Sequence, residues 1–180
     1  GSGLPLKIPV VEMVEIGAGG GSIAKVDNVG RLAVGPESAG SEPGRVSYGR
    51  GGLSPTVTDA DLAMKWIDPN YFAGGKIRLD PQAAENAIAD AAGNKLMLDN
   101  ARTAFAITEM VVENMASASR LHAIETGKDL RGRTLIATGG AAPLHAARLA
   151  TKLGIDQIVV PTNAGVGSAA GFLKAAVGYE

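Results

Sequence analysis

The stretch that decides the fold is Thr134–Ala146, which reads TLIATGGAAPLHA. It begins with an apolar, strand-like run, Thr134–Ala137, and continues into the pair Gly139 and Gly140. Pro143 follows at the position where the first turn of a helix would start, a place that proline favours. The pattern therefore predicts a strand, a glycine turn and a helix.

The residues that follow complete a larger unit. The helical pattern LHAARLATKL ends at Gly154, a typical C-terminal residue, and the β-branched run Gln157–Val160 comes next. We therefore expect one βαβ unit, with both strand runs parallel in one sheet and a right-handed crossover. A last helix is predicted over Ala164–Val177, whose small residues would let it pack on that sheet.

The two glycines of this turn have two possible roles. They lie at the carboxyl edge of the predicted sheet, where α/β proteins bind ligands, and they lack a Cβ that would keep a ligand from the backbone. We therefore expect Gly139 and Gly140 at an open surface. The alternative is a plain tight turn.

The first third of the chain predicts β structure with long turns. Ser22–Asp27 and Arg31–Val34 flank a hairpin-like connection. The segment Gly35–Gly52 contains six glycines and two prolines, so it is predicted to be a long loop. Such a loop is either a surface connection or a functional segment, and an ordered one would bring several polar side chains near a site: Glu37, Arg45, Tyr48 and Arg50.

The middle third is predicted to be helical. Thr58 is the expected N-cap of a helix over 59–66. Asp80 and Pro81 indicate the start of a second helix, which Gly93 would stop.

A long helix is predicted over Ala101–Thr126. Its apolar face recurs at three- and four-residue steps: Ala104, Ile107, Val111, Met115, Ala118 and His122. The opposite face is expected to be solvated: Glu109, Glu113, Ser117 and Arg120.

Composition limits the function classes. The 180 residues predict one domain or one large subdomain. The formal net charge is −1, so no basic excess indicates nucleic-acid binding, and no apolar run approaches the roughly 18 residues of a membrane span. Cysteine is absent, which excludes disulfides and thiolate sites and is compatible with a cytoplasmic location.

Several separate motifs occur in one order along the chain: GAGGGSIA (17–24), GPESAGSEPGRVSYGRGG (35–52), SPTVTDA (54–60), TGGAAPLHAARLATKLGI (138–155) and VPTNAGVGSAAGFLKA (160–175). This order resembles the hydantoinase A/5-oxoprolinase family, which includes N-methylhydantoinase A and subunits of acetone and acetophenone carboxylases. The resemblance runs from about Val14 to about Ala176. It implies an α/β chain that is part of an actin-like, sugar-kinase-like (ribonuclease H-like) ATPase domain.

The resemblance also implies an organisation. Residues 4–58 would form a β-rich segment, 59–126 a helical segment and 127–180 a βαβα segment on the nucleotide side; 1–3 resemble a cloning scar. Family members are several times longer and carry an Asp-x-Gly-Gly-Thr loop and a Gly-Gly-Thr-Ser-Thr-Asp loop for phosphate, neither of which occurs here. We therefore expect a piece of the C-terminal half of a family member, without ATP hydrolysis of its own.

The resemblance further implies the residues nearest to a cofactor. Gly139 and Gly140 match the family's adenosine motif Gly-Gly-Ala-Gly-Pro, in which Ala142 here replaces the last glycine. The run Gly19, Gly20 and Gly21 would lie near the interdomain cleft, or else would only permit positive φ angles in the backbone. No catalytic residue can be named.

Three further side chains are candidates for a role at a site. His145, in the first turn of its helix, is either a neutral imidazole in the cleft or a structural residue, since the helix dipole disfavours its positive charge. His122 is expected to be a packing or surface residue. Asp59 either helps to hold a cation through water or caps its helix. Two separated histidines give no metal-ligand spacing.

By resemblance, the parent protein would be an ATP- and Mg²⁺-dependent hydrolase. It would open a cyclic amide, a hydantoin or 5-oxoproline, after phosphorylation of the amide oxygen. The alternatives are a subunit of an ATP-dependent acetone/acetophenone-type carboxylase and a non-enzymatic scaffold domain. Expected partners are the small cyclic amide and a hydantoinase B-type subunit or domain, with neither nucleic acid nor a membrane.

Overall fold

The computed structural model describes residues 13–175, and their fold mixes helices with two small sheets. The regular elements, in chain order, are β1 (Ser22–Val26), β2 (Leu32–Ser38), α1 (Val57–Ala63), α2 (Pro81–Ile88), α3 (Asn94–Leu96), α4 (Asn100–Glu125), β3 (Thr134–Ile136), α5 (Ala142–Leu153), β4 (Gln157–Val159) and α6 (Gly167–Lys174). Among these residues, no helix is both long and apolar enough to cross a membrane.

The predicted hairpin is confirmed, since β1 and β2 pair antiparallel. The Asp27 carboxylate shapes the turn by accepting the backbone N–H groups of Val29 and Arg31. The prediction of a loop from Gly35 onward was wrong at its start, because β2 continues to Ser38. A shift of register near the start of β1 lets Ser22 pair with Ser38, so the ladder extends past the glycine.

The first helix begins two residues before the predicted position, and Thr58 is not its cap. Thr56 is the N-cap, and Asp59 at the third helical position completes a capping box with it. Both threonines are suitable cap residues, and the reciprocal bond to Asp59 decides between them. The helix ends at Ala63, before the predicted Trp66.

The second helix starts as predicted, with Asp80 as N-cap and Pro81 in the first turn. Gly93 does not stop it: the helix passes through a π-helical turn, Ala89–Gly93, and Gly93 itself keeps helical angles with φ −54°. A Cβ at Gly93 would lie 3.2 Å from the Thr103 hydroxyl oxygen. The glycine therefore serves a close approach to α4.

The long helix α4 matches its prediction within one residue at each end, with Asp99 as N-cap. The buried stripe begins as predicted but turns toward Val112, Ala116 and Ala123, whereas His122 is only half-buried. The predicted solvated face holds for Glu113, whose side chain is 46% exposed, and was wrong for Glu109, whose side chain is 25% exposed. Both carboxylates form ion pairs with cations of α5, which packs against that side of α4.

The main core lies between the hairpin, α1, α2 and α4. Its buried apolar side chains come from all of these elements: Ala24, Val34, Val57, Ala60, Ile88, Ala104, Ile107, Val111 and Val112. This core fixes α1, and with it the segments on either side of α1.

The C-terminal βαβ unit is confirmed. β3 and β4 are parallel, with Leu135 opposite Ile158, and α5 connects them. Each strand is one residue shorter than predicted at its end. Gly154 ends α5 in the left-handed region with φ 67°, as its position after the helix predicted.

The last predicted helix needs correction. A 3₁₀ turn, Ala164–Val166, precedes α6, and the predicted end at Val177 lies outside the described residues. α6 does not pack on the sheet: none of its residues is buried, and Phe172 and Leu173 are exposed. Small residues permit close packing but do not create it.

Candidate functional site

Two glycine turns from opposite ends of the chain meet at one cleft. A Cβ built on Gly20 would lie 3.3 Å from the Cβ of Ala141, next to Gly140. The cleft between them has a volume of about 930 Å³, and its lining includes both of these turns. The sequence predicted both turns as candidates and did not predict their contact.

The turn after β3 is open, as predicted. Gly139 and Gly140 are exposed, and a Cβ on either would have no neighbouring atom within 4 Å. Gly139 has φ +99°, which side-chain-bearing residues rarely adopt, and its N–H donates to the Ala164 carbonyl at 2.8 Å. The turn lines the cleft through Gly140, Ala141 and Pro143, whereas Gly139 and the half-buried Ala142 are not in the lining. Their role toward a nucleotide stays a prediction.

The turn before β1 is packed more tightly. The carbonyl of Gly20 accepts both the backbone N–H and the hydroxyl of Thr58, at 2.9 and 2.8 Å. A Cβ on Gly20 would clash with that hydroxyl, and one on Gly21 would clash with Ser38. Gly19 alone has open space beside it. Close packing therefore explains the glycines at 20 and 21 without a ligand.

His145 is fully buried on α5, against Asp61 of α1. Its Nε2 lies 3.2 Å from Asp61 Oδ2, and both side chains are 1% exposed. None of the four polar side-chain atoms of this pair has a hydrogen bond of regular geometry. Asp61 lines the cleft and His145 lies behind it. The pair joins the N-terminal and C-terminal parts of the chain at the floor of the cleft; a cofactor role for His145 stays a prediction.

Asp59 is a helix cap and a loop anchor. Its Oδ2 accepts the N–H and the hydroxyl of Thr56, at 2.8 and 2.9 Å, and its Oδ1 accepts the N–H of Ser47 at 2.9 Å. Both oxygens are therefore engaged, which favours the capping interpretation over a cation site. Across residues 13–175, no group of three or more histidine or acidic side chains is placed to hold a metal ion.

Of the four polar residues predicted near a site from the long loop, one lines the cleft. That residue is Arg45. Glu37 instead pairs with Lys25 at 2.8 Å on an exposed face of the hairpin, and Arg50 is exposed outside the cleft. Tyr48 packs beneath the Arg45 guanidinium, and burial raises the pKa of its hydroxyl above the usual value.

Sequence reasoning missed one wall of the cleft. Trp66, Tyr71 and Phe72 line it, together with Ile67. The chain has one Trp, three Tyr and three Phe, so three aromatic residues within 66–72 were a usable signal. Aromatic side chains that line the same cleft as a glycine turn suit a planar ligand group.

Comparison with known proteins fits this picture. The family model Hydantoinase/oxoprolinase matches residues 2–180. A caprolactamase subunit alpha from Pseudomonas jessenii is 44% identical over 154 residues, covering 86% of this chain and 22% of the relative. An acetophenone carboxylase gamma subunit from Aromatoleum aromaticum is 43% identical over 145 residues, covering 80% of this chain and 20% of the relative.

Solved structures agree. The crystal structure of an ATP-dependent caprolactamase from Pseudomonas jessenii matches with a TM-score of 0.76 and 45% identity, over 81% of this chain and 21% of that chain. The chain thus spans about a fifth of the length of these relatives. The match over nearly every residue, together with identities above 40% to two of its relatives, shows that the chain belongs to the hydantoinase/oxoprolinase family.

Proposed function

We propose that this chain supplies the nucleotide side of the cleft in an ATP-dependent enzyme that opens a cyclic amide. The observation that carries the proposal is the meeting of two glycine turns at one open cleft, in a chain similar to an ATP-dependent caprolactamase. The proposal includes an actin-like ATPase fold for the parent domain.

The cleft has features that fit the adenosine part of ATP. Gly139 and Gly140 leave their backbone open, so a flat base or ribose can lie directly on it. Trp66 and Tyr71 offer aromatic surface on another side, and a cleft of about 930 Å³ is within the usual range for small-molecule sites. We assign the base and ribose to these residues, and to Gly19, Gly20 and Gly21 a position beside them. His145 would keep Asp61 in place at the floor.

The remaining parts of the reaction are assigned to the rest of the parent protein. ATP, when bound, would supply a phosphoryl group that makes the amide carbon electrophilic toward water. The phosphates and Mg²⁺ would be held mainly by segments outside this chain. A hydantoinase B-type subunit or domain is the proposed partner, in line with relatives that are named as subunits.

A second candidate function is a subunit of a ketone carboxylase. The sequence identity to an acetophenone carboxylase gamma subunit is 43%, almost equal to the 44% identity to the caprolactamase subunit. In that case the same cleft would bind ATP for activation of an enolate or of carbonate. The residues described here serve either reaction.

The nucleotide assignment is tested with Gly140→Val in the parent protein. We expect the apparent KM for ATP to rise about tenfold, because the new side chain fills the space over the turn, with the melting temperature unchanged. Gly171→Val, at an equally open glycine of α6, is the matched control and should leave KM unchanged. Normal ATP binding by Gly140→Val would show that the turn is only structural.

The reaction class is tested by product analysis. The parent protein and its partner subunit are incubated with ATP and either caprolactam, hydantoin or 5-oxoproline, and ADP and ring-opened product are measured. A parallel series replaces the amide with a ketone and bicarbonate. Ring opening supports the hydrolase, carboxylation supports the second candidate, and activity in neither series contradicts both.

A further inference from the structure

We propose that Arg45 is the receptor for an oxyanion in this cleft. The inference rests on the proposed function, since it takes the cleft to be the ligand site. The anion is a phosphate group of the nucleotide or a carboxylate of the substrate, which share the same paired oxygen geometry.

Arg45 is a cation with little to bind within the chain. It lines the cleft, half-buried, next to Gly20 and Thr58. Its two hydrogen bonds are long, from Nε to the Thr58 hydroxyl at 3.4 Å and from Nη1 to the Gly40 carbonyl at 3.5 Å. Within residues 13–175 no carboxylate lies at ion-pair distance from it. A half-buried guanidinium is normally paired, so the unused donors point to an external partner.

The acidic side chains that the structure describes around the cleft do not form an ion pair with Arg45. The carboxylates of Asp61 and Asp68 line the cleft, and that of Asp59 anchors the loop that carries Arg45. Asp59 has both oxygens in hydrogen bonds to the chain, and Asp61 faces His145. Asp68 accepts the backbone N–H of Asn70 at 2.8 Å. Arg45 is the single cation in the cleft lining of the described chain.

The loop holds Arg45 in a fixed position. Two residues later, Ser47 donates its N–H to Asp59 and accepts the N–H of Asp80 with its carbonyl, both at 2.9 Å. On the other side, any side chain at Gly52 would clash with the backbone of Gly44 and Arg45, so the end of the loop packs directly against the residue that carries the guanidinium. The backbone that carries Arg45 is therefore ordered before an anion binds, which lowers the entropy cost of binding.

The guanidinium also borders the glycine turn. Its carbon lies 5.1 Å from the centre of the Tyr48 ring, which supports one face. Its Nη2 would be 3.4 Å from a Cβ built on Gly21, so the group lies directly against the backbone of that turn. A planar fork that lines a cleft and has one face covered can bind two oxygens of one anion.

The test compares Arg45→Gln with Arg50→Gln, a matched change at an exposed arginine of the same loop. The 180-residue chain is titrated at low ionic strength, by calorimetry, with sodium tripolyphosphate and, in a second arm, with glutarate. We expect Arg45→Gln to weaken binding about tenfold or more and Arg50→Gln to change it less than about twofold. The arm in which the loss occurs identifies phosphate or carboxylate as the anion.

Two outcomes overturn the inference: wild-type chain that binds neither anion, and Arg45→Gln that binds both as wild type does. Circular dichroism checks that the variants are folded. If Arg45→Gln does not fold, Arg45→Lys decides, because it keeps the charge and loses the fork. An unchanged Kd for Arg45→Lys, with Arg45→Gln unfolded, also refutes a bidentate oxyanion site.

A titration with adenosine separates this inference from the proposed function. Adenosine carries no phosphate, so its binding should respond to Gly140→Val and not to Arg45→Gln. Tripolyphosphate binding that depends on Arg45, without adenosine binding, would support the anion site and contradict the nucleotide assignment. If adenosine binds and Arg45→Gln leaves the Kd of both anions unchanged, the nucleotide assignment is supported and the anion site is contradicted.

Discussion

Replacing Asp59 with alanine should destabilise the chain far more than the same change at another capping aspartate. Asp59 is fully buried, and its carboxylate accepts three hydrogen bonds, from Ser47 and from two groups of Thr56. Alanine leaves the backbone N–H groups of Ser47 and Thr56 buried without an acceptor, at about 1–3 kcal/mol each; the second of these is also the lost capping-box bond. We expect a loss of about 2–6 kcal/mol in the free energy of unfolding, of a total that is typically about 5–15 kcal/mol.

Asp80→Ala is the matched control. Asp80 caps α2 at an exposed position with one side-chain bond, to the N–H of Ala83 at 3.0 Å. Its loss leaves that N–H open to water, so the cost should be about 1 kcal/mol.

Urea unfolding of the two variants, followed by circular dichroism, measures both values. If Asp59→Ala lost no more stability than Asp80→Ala, Asp59 would not be the anchor of the loop that carries Arg45.

Three further outcomes are expected. Gly139→Val should cost about 1–3 kcal/mol more in thermal unfolding than Gly140→Val, because only Gly139 has a positive φ; equal melting temperatures would contradict this. Hydrogen bonds from Arg131 lower the pKa of the exposed Asp129 carboxyl from 3.8 to about 2. The stabilising effect of the ionised carboxylate is therefore full above about pH 4 and is lost as the pH falls through about 2. Carboxyl NMR should show a titration midpoint at about 2, and Arg131→Gln should return that midpoint toward 3.8. Glu109→Gln weakens the ion pairs between α4 and α5 and should lower the free energy of unfolding by less than about 1 kcal/mol. Urea unfolding measures this difference from wild type. A difference that stays the same in about 1 M salt would argue against the ion pairs.

Several elements could be predicted because their signals are local. The apolar residues that recur at three- and four-residue steps place α4 within one residue at each end. Gly139 and Gly140 after β3, and Pro143 in the first turn of α5, place the turn of the βαβ unit. In each case the residues that decide the backbone lie within a few positions of one another.

The errors have a common origin. Gly93 has the sequence signal of a helix end, but its missing side chain serves a contact with Thr103, ten residues away along the chain. Glu109 has the signal of a solvated face, but α5 lies against it. A single sequence shows which side chains are small or charged, and not what they meet.

The candidate site divides in the same way. The sequence by itself determined the two glycine turns and the family resemblance, since these depend on residue type and short spacing. Only the tertiary structure decided that Gly20 meets Ala141 and that Asp61 meets His145. These contacts join segments more than 80 residues apart. They follow from how α1 and α5 pack around α4, and long-range packing of this kind leaves no periodic pattern in the chain.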